Sequence, residues 1–409
     1  MADFRSTDHV LDVGCAEGLI TLEVAGLVER VQGIDVHEGR IAEATRLAAE
    51  RGIANATFDL ASVIDYPLEP RSYDVSLFMG VWGKSTTQSD PGGSVGAEAL
   101  RHILRATRRQ LVMKVTVQHR VNCEPLLEEI LDVCDQADFD ALCFSRSMPK
   151  KGQIGRSAGI NVLVAHRRGS DARIGELPRV ALVPLTRLTE HPVVRSSATE
   201  QEQARGLHSK ERRSGRGSRS GDDIRQLADL RRTDHVLDIG CAEGLTTLEV
   251  AKVVELPNAT FEPASVADYP FEPLSYDVTL LMSVWDKPAD DRGTTRTVGP
   301  DELRRILGAT RRQLVMRVDV QQVGLEGRLE EILDACEQSD FDALCFSRAA
   351  RKRGTGETAA NLLIANRRGT DARVGELPRL ALIPISRLTD HPVVAKGGRR
   401  STGSTLWAA

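Results

Sequence analysis

The chain has 409 residues, 27% charged and 41% apolar, with a formal charge of −4; it exceeds one ordinary domain, and its small charge argues against a dedicated nucleic-acid surface. No apolar run reaches the roughly 18 residues of a membrane span, and MADFRSTDHV lacks a basic-then-apolar leader, so a cytoplasmic location with no membrane attachment is expected. Seven cysteines without a CxxC pair or a Cys/His cluster predict no metal site.

In chain order, HVLDVG reads as a buried strand entering the turn Asp12-Val13-Gly14-Cys15-Ala16-Glu17-Gly18, with ITLEVAGLVE as the helix behind it. Gly14 and Gly18 would let backbone approach a ligand closely, with the helix amides facing its polar groups. VQGIDV is a second strand ending in Asp35, and EGRIAEATRLAAERG a second helix. ATFDLA, YDVSLFMGV, RQLVMKVTV, DALCFSR and INVLVAHR read as further strands, AEALRHILRATR and EPLLEEILDVCDQAD as further helices. Such alternation predicts a parallel, doubly wound α/β sheet whose ligand sits beyond the carboxyl ends of its strands. The Gly/Ser-rich stretch 83–97 reads as a mobile lid or simply a disordered loop. DARIGELPRVALVPLTRLTEHPVV has prolines too closely spaced for a long helix and is expected to wrap the domain as an extended arm.

The pattern then repeats. HVLDIGCAEG at 235–244 matches HVLDVGCAEG at 9–18, SYDVTLLMSVW matches SYDVSLFMGVW, and FDALCFSR occurs twice. The offset between matched residues falls from 226 at Asp12 and Asp238 to 203 at Asn55 and Asn258, so the second half lacks 23 residues. By the simplest alignment these are Arg30 to Gly52, one strand and its helix. The expected organisation is a first domain at 1–195 carrying the ligand site, a flexible linker at 196–223, a degenerate domain at 224–395 and a disordered tail at 396–409. DDIRQLADLRR, just before the second HVLD, reads as a helix that could cover the first half's site in trans.

The turn Asp12-x-Gly14-x-Ala16-x-Gly18 resembles the first motif of the class I S-adenosylmethionine-dependent methyltransferases, with Ala16 in place of the family's middle glycine. The G-x-G-x-x-G spacing of dinucleotide-binding enzymes is absent. The resemblance implies S-adenosyl-L-methionine as cofactor, two Rossmann-like doubly wound domains, the second lacking one strand-helix unit, and a cofactor site at Asp12, Gly14, Cys15, Ala16, Gly18, Asp35 and Ser62. Asp35 takes the place of the family's ribose-binding acid; the plainer reading is that it caps the following helix, and both can hold. Ser62 falls where many members carry an acid for the adenine amino group, with Asp65 the nearest acid.

A sulfonium methyl is already electrophilic, so an enzyme of this kind chiefly aligns the acceptor and, where needed, removes its proton. Candidates at the strand ends are Trp82 and Lys84 after the fourth strand and His119 after the fifth, the last as general base or simply a surface histidine. The leading reading is methyl transfer to a small-molecule, glycan or other polar acceptor by the first half. The alternative is a non-catalytic binding or scaffolding protein built from two degenerate folds. Contact between the halves, or a homodimer, fits either reading.

Overall fold

A computed structural model of the chain describes residues 2–79, 96–115, 124–149, 157–175, 180–195, 228–241, 245–253, 259–282, 298–318, 328–352, 356–375 and 380–397. The expected linker at 196–223 lies outside them, as do residues 398–409 of the expected tail, whose Lys396 and Gly397 still belong to a helix. The chain divides into two compact units. Unit 1 comprises Met1–Gln153, Ala158–Leu182 and Pro384–Ala409; unit 2 comprises Ile154–Ser157 and Val183–Ile383.

Unit 1 begins with β1 (His9–Val13), α1 (Leu19–Ala25), β2 (Arg30–Asp35), α2 (Glu38–Glu50), β3 (Ala56–Leu60) and β4 (Tyr73–Phe78). It continues with α3 (Ala97–Ala106), β5 (Thr107–Val115), α4 (Glu124–Gln136), β6 (Phe139–Pro149), β7 (Ser157–Arg167) and β8 (Val180–Pro184). The strands lie in the order β3-β2-β1-β4-β5-β7-β6-β8. β1 pairs in parallel with both β2 and β4, β2 with β3, and β4 with β5. The strand order therefore reverses between β1 and β4, and their carboxyl ends open a crevice there.

The sheet is parallel only as far as β5. β7 runs antiparallel to β5, and β8 antiparallel to β6. The short step from β6 to β7 has no room for the helical crossover that a parallel pair needs. Part of the expected arm is thus an eighth strand, with Phe144 paired to Ala181 and Cys143 to Leu182. Its apolar run VALVP is buried along its whole length.

Burial follows the sequence pattern. β5 reads TRRQLVMKV, and only Arg108 and Lys114 reach solvent, as expected of a strand covered on both faces. α3 turns Ala99, Leu100, Ile103 and Leu104 fully inward at helical spacing. Inside, Ser76 and Thr107 share a hydrogen bond of 2.7 Å, and Arg109 donates to buried Asp8 at 2.7 and 3.0 Å. The end of the chain completes the unit, with the helix α8 (Pro392–Gly397) packed on β6.

Unit 2 contains β9 (Val236–Ile239), α5 (Leu245–Val253), β10 (Tyr276–Leu281), α6 (Pro300–Ala309) and β11 (Thr310–Val318). α7 (Arg328–Gln338), β12 (Phe341–Lys352), β13 (Gly356–Arg367) and β14 (Leu380–Pro384) follow, in the strand order β14-β12-β13-β11-β10-β9. The loss goes further than one strand and helix. Ala259–Pro263, matched in sequence to β3, is irregular, because the strand it would pair with is missing and Pro263 has no backbone N–H to offer. Among the described residues β9 pairs only with β10 and is an edge. Residues 228–232, the described part of the helix expected before β9, are not helical.

Candidate cofactor site

The site grows from the end of β1. Gly14 N–H and Cys15 N–H donate to the Ile34 carbonyl at 2.8 and 3.1 Å, which ties the turn to the last residues of β2. Asp35, 7% exposed, accepts the Ala16 N–H on one carboxylate oxygen at 3.0 Å and the His37 N–H on the other at 2.9 Å. The carboxylate therefore both clamps the turn and braces the start of α2, whose N-cap is His37. Each oxygen has a further lone pair for a hydroxyl.

Ala16 sits at φ 52°, a left-handed conformation unusual for a residue with a side chain. Gly18 has φ 76°, and a Cβ there would stand 2.9 Å from the Ala44 Cβ and 2.9 Å from Phe58. This glycine thus lets α2 and β3 pack against the turn, a demand separate from any ligand. Cys15 is buried beneath the turn, and its thiol pKa is pushed well up, first by burial and then by Asp12 and Asp35.

Asp12 points inward. It is 2% exposed and accepts a 2.6 Å hydrogen bond from the Thr21 hydroxyl on α1. Burial raises its pKa to about 6, the Thr21 hydrogen bond opposes the rise, and the charge of Asp35 adds to it. Ser62 opens the turn after β3, its hydroxyl accepting the Ile64 N–H at 3.3 Å, and Asp65 is exposed. Sequence reading passed over four apolar residues near this end: Leu19 (58% exposed), Ile20, Leu60 and Ile64. Their signal was faint, since an apolar residue closing a strand or opening a helix ordinarily reads as core.

The residues suit a nucleoside carrying a charged tail: a buried carboxylate with spare lone pairs, a turn held open in a left-handed conformation, and uncovered apolar side chains at the same end. Trp82, Lys84 and His119 lie outside the described residues. β4 and β5 run parallel to β1, so the chain leaves both strands at the end of the sheet that carries the turn. Among the described residues no group of three or more His, Cys, Asp or Glu could hold a metal, and no helix is long and apolar enough to cross a membrane.

Residues 4–137 match the family model described as a methyltransferase domain. This part of the chain, less than half of it, is thus similar to a methyltransferase domain. Solved structures similar to the chain include an S-adenosylmethionine-dependent methyltransferase from Methanosarcina mazei, 16% identical, covering 40% of this chain and 93% of that one at a TM-score of 0.31. Another is magnesium protoporphyrin IX methyltransferase from Synechocystis PCC 6803 with bound S-adenosylmethionine, 17% identical, covering 39% and 70% at 0.31. A third is an rRNA methylase from Streptococcus thermophilus, 22% identical, covering 40% and 90% at 0.30.

The second half keeps part of this architecture. Asp238 accepts the Thr247 hydroxyl at 2.6 Å, as Asp12 accepts Thr21, and Gly240 repeats the left-handed turn at φ 74°. Nothing in it matches Asp35, which lies inside the missing 23 residues.

Proposed function

We propose that the methyltransferase domain transfers the methyl group of S-adenosylmethionine to a small-molecule, glycan or other polar acceptor in the cytoplasm. The observation that carries this reading is the Asp35 clamp. One buried carboxylate orders the turn through Ala16 and keeps lone pairs for the ribose hydroxyls, and no residue of the second half matches it in sequence. Bound there, the cofactor supplies an electrophilic methyl group. The chain's own part is to hold the nucleoside by Asp35 and the turn, to align the acceptor from the stretches that follow β4 and β5, and to take its proton at His119. Trp82 and Lys84 would bound the acceptor's side of the site.

In the same reading residues 1–195 are the catalytic domain. Residues 224–395 are a non-catalytic relic of a duplicated fold, retained for binding. Fractionated cell extract incubated with the chain and S-adenosylmethionine labelled in its methyl group tests the acceptor class. Label is expected in a low-molecular-weight or glycan fraction with the wild type and not with Asp35→Ala. Label accumulating in RNA or protein, or persisting with Asp35→Ala, would overturn the proposal.

A further inference from the structure

Beside β9, unit 2 holds a cavity of about 570 Å³ whose lining includes Val236, Leu237 and Ile239 of β9 together with Phe261 and Pro263. In the first half the matching segments are β1 and β3, and the strand between them is β2, paired with both. The cavity is therefore lined by two segments whose counterparts in the first half both pair with an intervening strand.

Burial shows what the vacancy leaves uncovered. Val10 and Leu11 are wholly buried, whereas their counterparts Val236 and Leu237 are half-buried. Leu22 is 3% exposed where α1 packs on β2 and β3; its counterpart Leu248 is 45% exposed, and Phe261 is 49% exposed. The polar groups follow suit. Gly14 and Cys15 donate to a β2 carbonyl, and no described residue takes the N–H groups of Gly240 and Cys241. The buried Oδ1 of Asp238 has no hydrogen-bond partner among the described residues.

We infer that unit 2 is an acceptor for a strand and helix donated by a partner chain, which adds in parallel to β9 in the place that β2 and α2 fill in unit 1. Strand addition to an exposed edge draws affinity from main-chain hydrogen bonds and specificity from the side-chain sites beside it. Here those sites dictate the donor's sequence. A Cβ on Gly33 of β2 would stand 2.8 Å from Phe58 and 3.0 Å from the Cys15 sulfur. Their counterparts are Phe261 and Cys241, so the donated strand must carry glycine opposite Asp238, with apolar β-branched residues two positions before it and directly after it, as Val31 and Ile34 stand about Gly33. The helix behind it must present alanine, as α2 buries Ala44 and Ala48.

A labelled synthetic peptide with the sequence of residues 29–53, titrated into the full chain and followed by fluorescence anisotropy, tests this. Saturable binding is expected, at least tenfold weaker for the peptide with Gly33→Val. The Phe261→Ala protein, changed at a half-exposed position, should recover part of the affinity for that altered peptide, and Phe58→Ala should not. Absence of binding at 100 µM peptide would overturn the inference. So would equal binding of the two peptides, or displacement of the peptide by S-adenosylhomocysteine.

Discussion

Asp12 offers the sharpest energetic test of the turn. Its folded pKa is about 6 against an ordinary value of 3.8, chiefly because it is buried. Between those two values the folded chain holds a proton that the unfolded chain has released, so the stabilising contribution is full below pH 3.8 and is lost as the pH rises through 6. The shift corresponds to about 3 kcal/mol at 1.36 kcal/mol per pKa unit. Asp12→Asn keeps an oxygen for the Thr21 hydroxyl and removes the buried charge. The variant is therefore expected to be more stable than the wild type at pH 7, by about 1–3 kcal/mol, and equal to it near pH 4. Urea unfolding at a series of pH values measures this difference directly, and other titrating groups cancel between the two proteins. A difference that stays the same from pH 4 to pH 7, or an Asp12→Asn protein that is less stable at pH 7, would refute the reasoning.

Gly18→Ala should destabilise the chain by about 2–5 kcal/mol, combining a left-handed residue with overpacking against Ala44 and Phe58, and a change in urea midpoint worth under 1 kcal/mol would contradict this. His166 is fully buried beside Gln110, its Nε2 2.9 Å from the amide nitrogen, and its pKa is pushed down to about 4, first by burial and then by Lys396. A depressed histidine pKa means stability is full above about 6.5 and is lost as the pH falls towards 4, by about 3 kcal/mol. His166→Asn, the residue found at the matched position 366, should flatten that acid limb; a wild-type acid limb left unchanged by the substitution would show that other groups produce it.

Much of this fold was legible in the sequence because apolar periodicity is a direct consequence of burial. The near-continuous run of β5 and the helical spacing of α3 each name their own environment. What was not legible depended on partners far along the chain. VALVP is as apolar as a strand should be, yet the prolines around it suggested an arm, and only its pairing with β6 makes it β8. ATFEP in the second half matches ATFDL in the first almost residue for residue, and it is no strand, because a strand requires a neighbour. Within the site, Asp35 was legible through its place at the end of β2. Its bond to Ala16 was not, since no local pattern announces a contact across 19 residues. Gly18 was read as room for a ligand, and its surroundings show that room for α2 and β3 is sufficient reason for it.

The central claim is that one half of a repeated chain holds the cofactor, and that Asp35 is the residue that sets the halves apart. Titration of the full chain with S-adenosylhomocysteine in a calorimeter tests it most directly. One site per chain is expected, with affinity reduced at least tenfold by Asp35→Ala. Two equivalent sites, or an affinity indifferent to Asp35→Ala, would contradict the account.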